Sequence, residues 1–380
     1  MRKQRTQVAW LGWAAPFLLG LWSALTPCGA VHAATAEAAQ AAQNPDAGAA
    51  EGRLDCLPQR TMDLGQLLRA QRFAGQRDTD GGVGSMTPIT RGSPRWMSGF
   101  NAVLAWQNDD CPAFAAFAEH MGYDAVEVRD ARSGSRHFVL TERARRFNGL
   151  FVLRAPSERD SARPFLITAT HRSAPTDMDS LVQLYLGSNA VALLVNSAHP
   201  CSLKACGGCI MGNSATCGGC TRASDAAASS DNLQFGVFSA LVAIRRDFRI
   251  EYDSLGTPLP NGCRSLTRLG QGPALPASAT QAQPVVADAL WRGLETRAGA
   301  ACVCFDEREP GCAGSSTRAD TIYGRLANEE PLRPFDPCGQ AATQRSGRYL
   351  HIATRGLPGS VLAAALSDAW TQATRKPATK

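Results

Sequence analysis

The sequence has few lysines and lacks the motifs that identify several enzyme classes directly. Only four lysines occur among 39 basic residues, and no long block of Lys and Arg is present. No G-x-S-x-G nucleophile elbow occurs, and no glycine-rich dinucleotide fingerprint follows a predicted strand. The sequence therefore gives no support to a serine hydrolase of the α/β-hydrolase type or to a dinucleotide-dependent enzyme.

The excess of positive charge is small. The formal net charge is +6, and Arg2, Lys3 and Arg5 supply half of it. Proteins that bind nucleic acid carry a strongly basic surface, because the phosphate backbone dominates their affinity. We therefore predict no nucleic-acid partner.

Long apolar runs are missing except at the amino terminus. One run extends from about Val8 to Leu25, just after the three basic residues, and residues 31–33 (VHA) put small side chains at positions −3 and −1 of a cleavage site. This layout is typical of a secretory signal peptide. We predict a signal peptide at 1–33 and a secreted or periplasmic mature protein, with no stable membrane insertion after cleavage.

Two alternatives to simple cleavage stay open. An apolar stretch of about 18 residues could span a bilayer as an uncleaved anchor helix. Cys28 could carry a lipid, although Pro27 stands where a lipoprotein signal has a small residue. The sequence favours cleavage after Ala33 over both alternatives.

A cysteine-rich stretch, CGGCIMGNSATCGGC, extends from Cys206 to Cys220. Its two C-G-G-C units could hold a tetrahedral metal ion, form a redox site or be linked by disulfides. The spacer between the units is short for structural zinc, and Gly-Gly is a poor start for the helix of a thioredoxin-like site. Because export favours oxidation, we predict disulfides at Cys201, Cys206, Cys209, Cys217 and Cys220.

Further cysteines predict disulfides in the second half of the chain. Without Cys28 the chain has twelve of its 13 cysteines left, an even number. Cys302 and Cys304 share one face of a predicted strand, so each should bond to a different segment. Their candidate partners are Cys263, Cys312 and Cys338, and the connectivity stays open.

The order of predicted elements indicates the α/β class. Residues 34–52 are rich in Ala and lack large apolar side chains, so we predict a disordered linker over 34–55. Helices and a β-hairpin (DAVEVRD and RHFVLTE) follow at 56–147, and strands alternate with helices from 148 onward. We predict one disulfide-stapled α/β domain at 56–375, in which helices cover a mixed, mostly parallel sheet.

Three histidines lie at or near the ends of predicted strands. His171 follows FLITAT, His199 follows AVALLVNSA, and RYLHIAT contains His351. Sites in such sheets form at the carboxyl ends of strands, and imidazole is a common zinc ligand. The pattern therefore predicts remnants of a metal site, with hydrogen-bonded structural histidines as the alternative.

In their order, the segments GLFVLRA, RPFLITATHRSAPTDMDSLVQLYLG, NAVALLVNSAHPC and GRYLHIAT resemble a family of exported bacterial proteins of unknown role. That family is related to N-formylglutamate amidohydrolases, which are similar to zinc carboxypeptidases, and the resemblance covers about 136–370. It implies a zinc-peptidase-like fold with an amidohydrolase-like core at 148–375 and one zinc. It also implies a small peptide or an acyl amino acid as the substrate. The implied site residues are the zinc ligands His171, Asp177 (or Asp179) and His199, and the catalytic residue Arg355.

The chain departs from the family pattern at two positions that matter chemically. Ala228 stands where the family has a further His, and Ala353 stands where it has a Glu that serves as a catalytic base. We therefore expect a degenerate metal site in a binding or structural relative with little turnover. The alternative is an active zinc-dependent hydrolase of an amide or peptide bond, in which another carboxylate fills the gap. The candidates for that role are Asp225, Asp231 and Glu251.

Overall fold

The computed structural model describes most of the chain beyond the predicted linker. The described residues are 56–70, 89–144, 147–170, 175–198, 229–245, 247–255, 258–272, 285–297, 301–305, 321–328 and 344–374. The predicted signal peptide and linker lie outside them. So do the ligand candidates His171 and His199, Asp225 and Ala228, and the predicted disulfide cysteines Cys201, Cys206, Cys209, Cys217, Cys220, Cys312 and Cys338.

The described residues form ten strands and nine helices. The strands are β1 (Gln59–Met62), β2 (Tyr123–Asp130), β3 (Arg136–Glu142), β4 (Leu150–Arg154), β5 (Arg163–Ala169), β6 (Ala190–Val195), β7 (Phe248–Ser254), β8 (Ser265–Gly270), β9 (Ala301–Phe305) and β10 (Tyr349–Arg355). The helices are α1 (Leu64–Ala70), α2 (Pro94–Gln107), α3 (Cys111–Met121), α4 (Pro156–Arg159), α5 (Pro175–Gly187), α6 (Leu233–Ile244), α7 (Val285–Arg297), α8 (Ile322–Asn328) and α9 (Gly359–Thr374).

All ten strands belong to one mixed sheet with the order β1-β2-β3-β4-β6-β5-β7-β10-β8-β9. Five of the nine pairings are parallel, and they include the central run β6-β5-β7-β10. The predicted α/β class with a mixed, mostly parallel sheet is confirmed. The predicted hairpin, β2 and β3, pairs with β4 and so extends the same sheet.

Local sequence signals explain where individual elements begin and end. For α3, the Asp110 carboxylate accepts a hydrogen bond from the Ala113 amide (3.0 Å), and a proline occupies the first turn. The helix ends at Gly122, whose φ of 84° is readily adopted only by a residue without a side chain. These two signals set the ends of α3, whose apolar residues at helical spacing predicted the helix from the sequence.

Helices cover the sheet on both faces, and each face has its own apolar core. On one face α2, α3, α6 and α8 pack with Trp106, Phe114, Phe238 and Tyr323 among the buried side chains. On the other face α1, α5, α7 and α9 enclose a second buried cluster that includes Tyr185 and Phe305. None of the described helices is both long and apolar enough to cross a membrane.

Two disulfides join described residues. Cys263 and Cys302 are bonded, with a Cα–Cα distance of 5.6 Å, which is one of the pairings that the sequence left open. Cys304 is also disulfide-bonded. Cys56 and Cys111 form a bond for which the sequence gave no specific prediction; their Cα atoms are 6.0 Å apart, and the bond ties the start of the described chain to α3.

Loss of the Cys56–Cys111 bond should destabilise the protein measurably. The bond closes a loop of 55 residues, and cross-links of that length typically stabilise by about 2–4 kcal/mol by restricting the unfolded chain. We expect a loss of that size in the double variant Cys56→Ser, Cys111→Ser, measured by urea unfolding. An unchanged urea midpoint would contradict the expectation.

Candidate functional site

The candidate site lies at the carboxyl ends of β5, β6, β7 and β10, on the face covered by α6 and α8. These four neighbouring strands are parallel to one another, so their ends meet at one edge of the sheet. On β7 the side chains alternate: Ile250 and Tyr252 belong to the apolar core of the opposite face, whereas Arg249, Glu251 and Asp253 point toward α6 and α8. The alternation places a polar row under these two helices.

Glu251 is the centre of this row. Its carboxylate is buried, with 1% of the residue exposed, and it accepts three hydrogen bonds from hydroxyl groups. Thr170 donates to Oε1 at 2.8 Å, while Thr321 and Tyr349 each donate to Oε2 at 2.6 Å. The carboxylate thereby connects the end of β5, the start of α8 and the start of β10.

The charge of Glu251 has hydroxyl donors rather than a cation around it. Among the described residues, no Lys, Arg or His forms an ion pair with it. Burial, together with the nearby Glu251 charge, raises the pKa of Tyr323 well above its usual value, so this phenol stays neutral. The Tyr323 hydroxyl itself has no hydrogen-bond partner.

His351 is the cross-strand neighbour of Glu251. The two residues are paired in the β7–β10 register, and Thr168 occupies the same row on β5. Directly paired residues of neighbouring strands have side chains on one face, so His351 shares the α6–α8 face with Glu251. It is 3% exposed, and its Nδ1 has no hydrogen-bond partner.

One row closer to the edge, Ala353 lies between two charged residues. Its register partners are Asp253 on β7 and Arg268 on β8, and it is 5% exposed. The resemblance places a catalytic carboxylate at this position. In the structure the buried carboxylate Glu251 lies on the neighbouring strand instead, one row further from the edge.

Gln234, in the first turn of α6, reaches the ends of two strands. Its side-chain NH₂ donates to the carbonyl oxygens of Ala169 (3.2 Å) and Leu194 (3.4 Å), and its Oε1 has no partner. Asn232 caps the helix by accepting a hydrogen bond from the Phe235 amide at 2.8 Å. Gln234 is 1% exposed, so its oxygen is a buried acceptor beside the candidate site.

The remaining predicted site residues are placed as follows. Asp177 belongs to the first turn of α5, and its side chain lies outside the described part. Its alternative Asp179 is half-exposed and pairs with Arg69 at 2.7 Å. Arg355 is the last residue of β10 and is exposed. Asp231 accepts a hydrogen bond from the Arg91 amide at 3.1 Å, near the start of α6.

Sequence reasoning overlooked four polar residues of the site: Thr170, Gln234, Thr321 and Tyr349. The period of two along β10 could have revealed Tyr349, because it lies on the same face as His351. Thr170 directly precedes His171 in the sequence. Thr321 directly precedes α8 and Gln234 belongs to the first turn of α6, and neither position carried a comparable signal.

The resemblance implies zinc, which needs about three protein ligands at a catalytic site. In the part of the chain that the structure describes, no three His, Cys, Asp or Glu side chains are close enough to hold a metal ion. The Glu251 oxygens already accept three hydroxyl groups. The predicted zinc ligands His171 and His199 and the side chain of Asp177 lie outside the described residues, so zinc stays a prediction and no chemical step is assigned to a metal.

The chain was also compared with known proteins. No family model, no curated protein and no solved structure matches it.

Proposed function

We propose that the protein is an exported relative of amidohydrolases and zinc carboxypeptidases that binds its ligand with little turnover. One observation supports this most directly: Glu251, the buried carboxylate in the middle of β7, is held by three hydroxyl groups. The ligand class suggested by the resemblance is a small peptide or an acyl amino acid, bound at the edge where β5, β6, β7 and β10 end.

The hydrogen bonds of Glu251 limit its use as a catalytic base. A general base must reach the proton that it removes, either directly or through one water molecule. Glu251 is 1% exposed, and three of the positions at which its oxygens accept hydrogen bonds are already taken by Thr170, Thr321 and Tyr349. Ala353, which lies nearer the edge, has no group that could take over the role.

A second candidate function is an active hydrolase with Glu251 as the base, and one observation favours it. Glu251 is an anion without a cationic partner among the described residues, and its Oε1 accepts only the Thr170 hydrogen bond. A buried carboxylate with an acceptor position left open could serve as a general base. His351, paired with Glu251 across the strands, has a free ring nitrogen.

The two functions differ in turnover, which can be measured directly. We expect the mature protein, purified from a periplasmic extract and supplied with zinc, to hydrolyse N-acyl amino acids and short peptides at no more than a background rate. His171→Ala and Glu251→Gln should leave that rate unchanged. A positioned acid or base raises the rate about a hundred- to ten-thousand-fold, so its absence should lower turnover by that factor.

Ala353→Glu is the matched test of the missing group. It introduces a carboxylate at the position where the resemblance has one, between Asp253 and Arg268. Robust wild-type hydrolysis that disappears in His171→Ala or Glu251→Gln would overturn the proposal and assign the protein to the active hydrolases.

A further inference from the structure

One buried hydrogen-bond acceptor without a donor, Gln234 Oε1, lies at the ends of β5 and β6. The orientation of the Gln234 amide is fixed, because its NH₂ faces two carbonyl oxygens at 3.2 and 3.4 Å. A flipped amide would place an oxygen against those carbonyl oxygens. Its Oε1 must therefore point away from them, and this buried acceptor has no donor.

Glu251 adds a negative charge to this region. Thr170 connects the two acceptors, because its hydroxyl donates to Glu251 while the carbonyl of the preceding residue, Ala169, accepts from Gln234. Each carboxylate oxygen can accept two hydrogen bonds, and Oε1 of Glu251 accepts one. The unpartnered Nδ1 of His351 lies on the strand next to Glu251.

We propose that this site binds the primary ammonium group of an amino-acid-like ligand, with Gln234 Oε1 and the Glu251 carboxylate as its acceptors. The inference rests on the proposed binding function and selects the small peptide from its two ligand classes, because an N-acyl amino acid has no free ammonium group. A buried anion is normally paired with a cation, and a buried acceptor normally has a donor. An ammonium group supplies the charge and three N–H donors at once.

Other occupants satisfy fewer of these groups. A buried water molecule could donate to Gln234 Oε1, but it brings no positive charge to Glu251. A ligand carboxylate would add a third acceptor beside Glu251. The amino terminus of α6 attracts anions, but Asn232 already accepts the hydrogen bond of the Phe235 amide there. The partial positive charge of the helix terminus, about half a unit, is also smaller than the full negative charge of Glu251.

Calorimetric titration of the full mature protein tests the ligand group. Three probes share one side chain: leucinamide carries the ammonium, N-acetyl-leucine carries a carboxylate without it, and N-acetyl-leucinamide is neutral. We expect leucinamide to bind at least about tenfold more tightly than either of the other two, as the loss of a charge-assisted hydrogen bond predicts. Equal or reversed affinities, or no binding of any probe, would overturn the inference.

Gln234→Met tests the acceptor with little change in volume. It should weaken leucinamide binding by about tenfold, whereas the matched control Gln66→Met, on the exposed side of α1, should leave it unchanged. Where Gln234→Met does not fold, the ranking of the three probes on the wild-type protein decides alone. An unchanged affinity in a folded Gln234→Met protein would contradict the proposed role of Gln234.

The outcomes separate this inference from the proposed function. Preferential binding of N-acetyl-leucine without hydrolysis would overturn the ammonium site and leave the binding function intact. Hydrolysis of peptides combined with leucinamide binding would overturn the binding function and retain the ammonium site.

Discussion

Acidification from pH 7 to pH 5 should cost the protein about 2 kcal/mol of stability through His137 alone. Burial, assisted by the charge of Arg154 and opposed by that of Asp130, lowers the pKa of His137 to about 3. In the unfolded chain the same imidazole has its ordinary pKa of about 6.5. Below pH 6.5 the imidazole therefore binds a proton in the unfolded state but not in the folded state. The free energy of unfolding decreases as the pH is lowered from about 6.5 to about 3.

The surroundings of His137 explain why it stays neutral. It is fully buried on β3, its Nδ1 is 3.0 Å from the Tyr185 hydroxyl of α5, and its Nε2 is 2.7 Å from Ser135 Oγ. Ser135 in turn contacts Ser133, whose hydroxyl donates to Asp130 at 2.6 Å. Burial raises the pKa of Tyr185, so both partners of the imidazole are neutral hydroxyl groups, and Arg154 on β4 repels an added proton.

Urea unfolding at several pH values between 7 and 5 measures this effect. His137→Gln should lower stability at pH 7 but remove about 2 kcal/mol of the decline toward pH 5. His120→Gln, at an exposed position of α3, should keep the wild-type decline. Parallel pH profiles for wild type and His137→Gln would show that His137 does not titrate between these limits.

The His137 network also illustrates what the sequence could reveal about the fold. The hairpin of β2 and β3 was predictable, because alternating apolar residues flank the segment ARSGS. That segment also contains the two serines of the network. Their partner Tyr185 is 48 residues beyond His137, and no local pattern could have brought the two together.

Elements without a strong pattern were the ones that the sequence did not predict. β1 has four residues with mostly exposed side chains and lies at the edge of the sheet, so it has no buried face to impose an alternation. β8 (SLTRLG) pairs with β9 and β10 although its sequence is largely polar. Its place in the sheet is set by tertiary contacts, which override local propensity.

The position of the candidate site in the sheet was predictable from the sequence, but most of the residues that form it were not. Strand ends that meet in a parallel sheet directed attention to β5, β6 and β10, and Glu251 was named as one possible substitute carboxylate. The hydroxyl groups around it come from positions 81, 70 and 98 residues away along the chain. No local pattern links two threonines and a tyrosine over such separations, so their convergence on one carboxylate could not be predicted from the sequence.

Replacing Glu251 should have the largest effect on stability of any change at the site. Glu251→Leu removes the acceptor of Thr170, Thr321 and Tyr349, all of which are buried. Buried groups that lose their partner cost about 1–3 kcal/mol each, and broken buried networks fall among the largest single-residue effects. We expect Glu251→Leu to lose about 3–5 kcal/mol in urea unfolding.

Two further variants provide reference values for the stability loss in Glu251→Leu. Tyr349→Phe removes one hydrogen bond to the carboxylate and should cost about 1.5–3 kcal/mol. Glu295→Leu, at an exposed position of α7, should change stability by no more than about 0.5 kcal/mol. Because Tyr349 and Glu251 are in contact at 2.6 Å, their double variant should lose less than the sum of the single variants.

The opposite result would be equally informative about function. A functional carboxylate is often held at the expense of stability, so that its removal stabilises the fold while it abolishes activity. A Glu251→Leu protein that is as stable as wild type, or more stable, would therefore contradict a purely structural role for the three hydroxyl groups. Together with a loss of hydrolysis in Glu251→Gln, it would identify Glu251 as the base of an active enzyme.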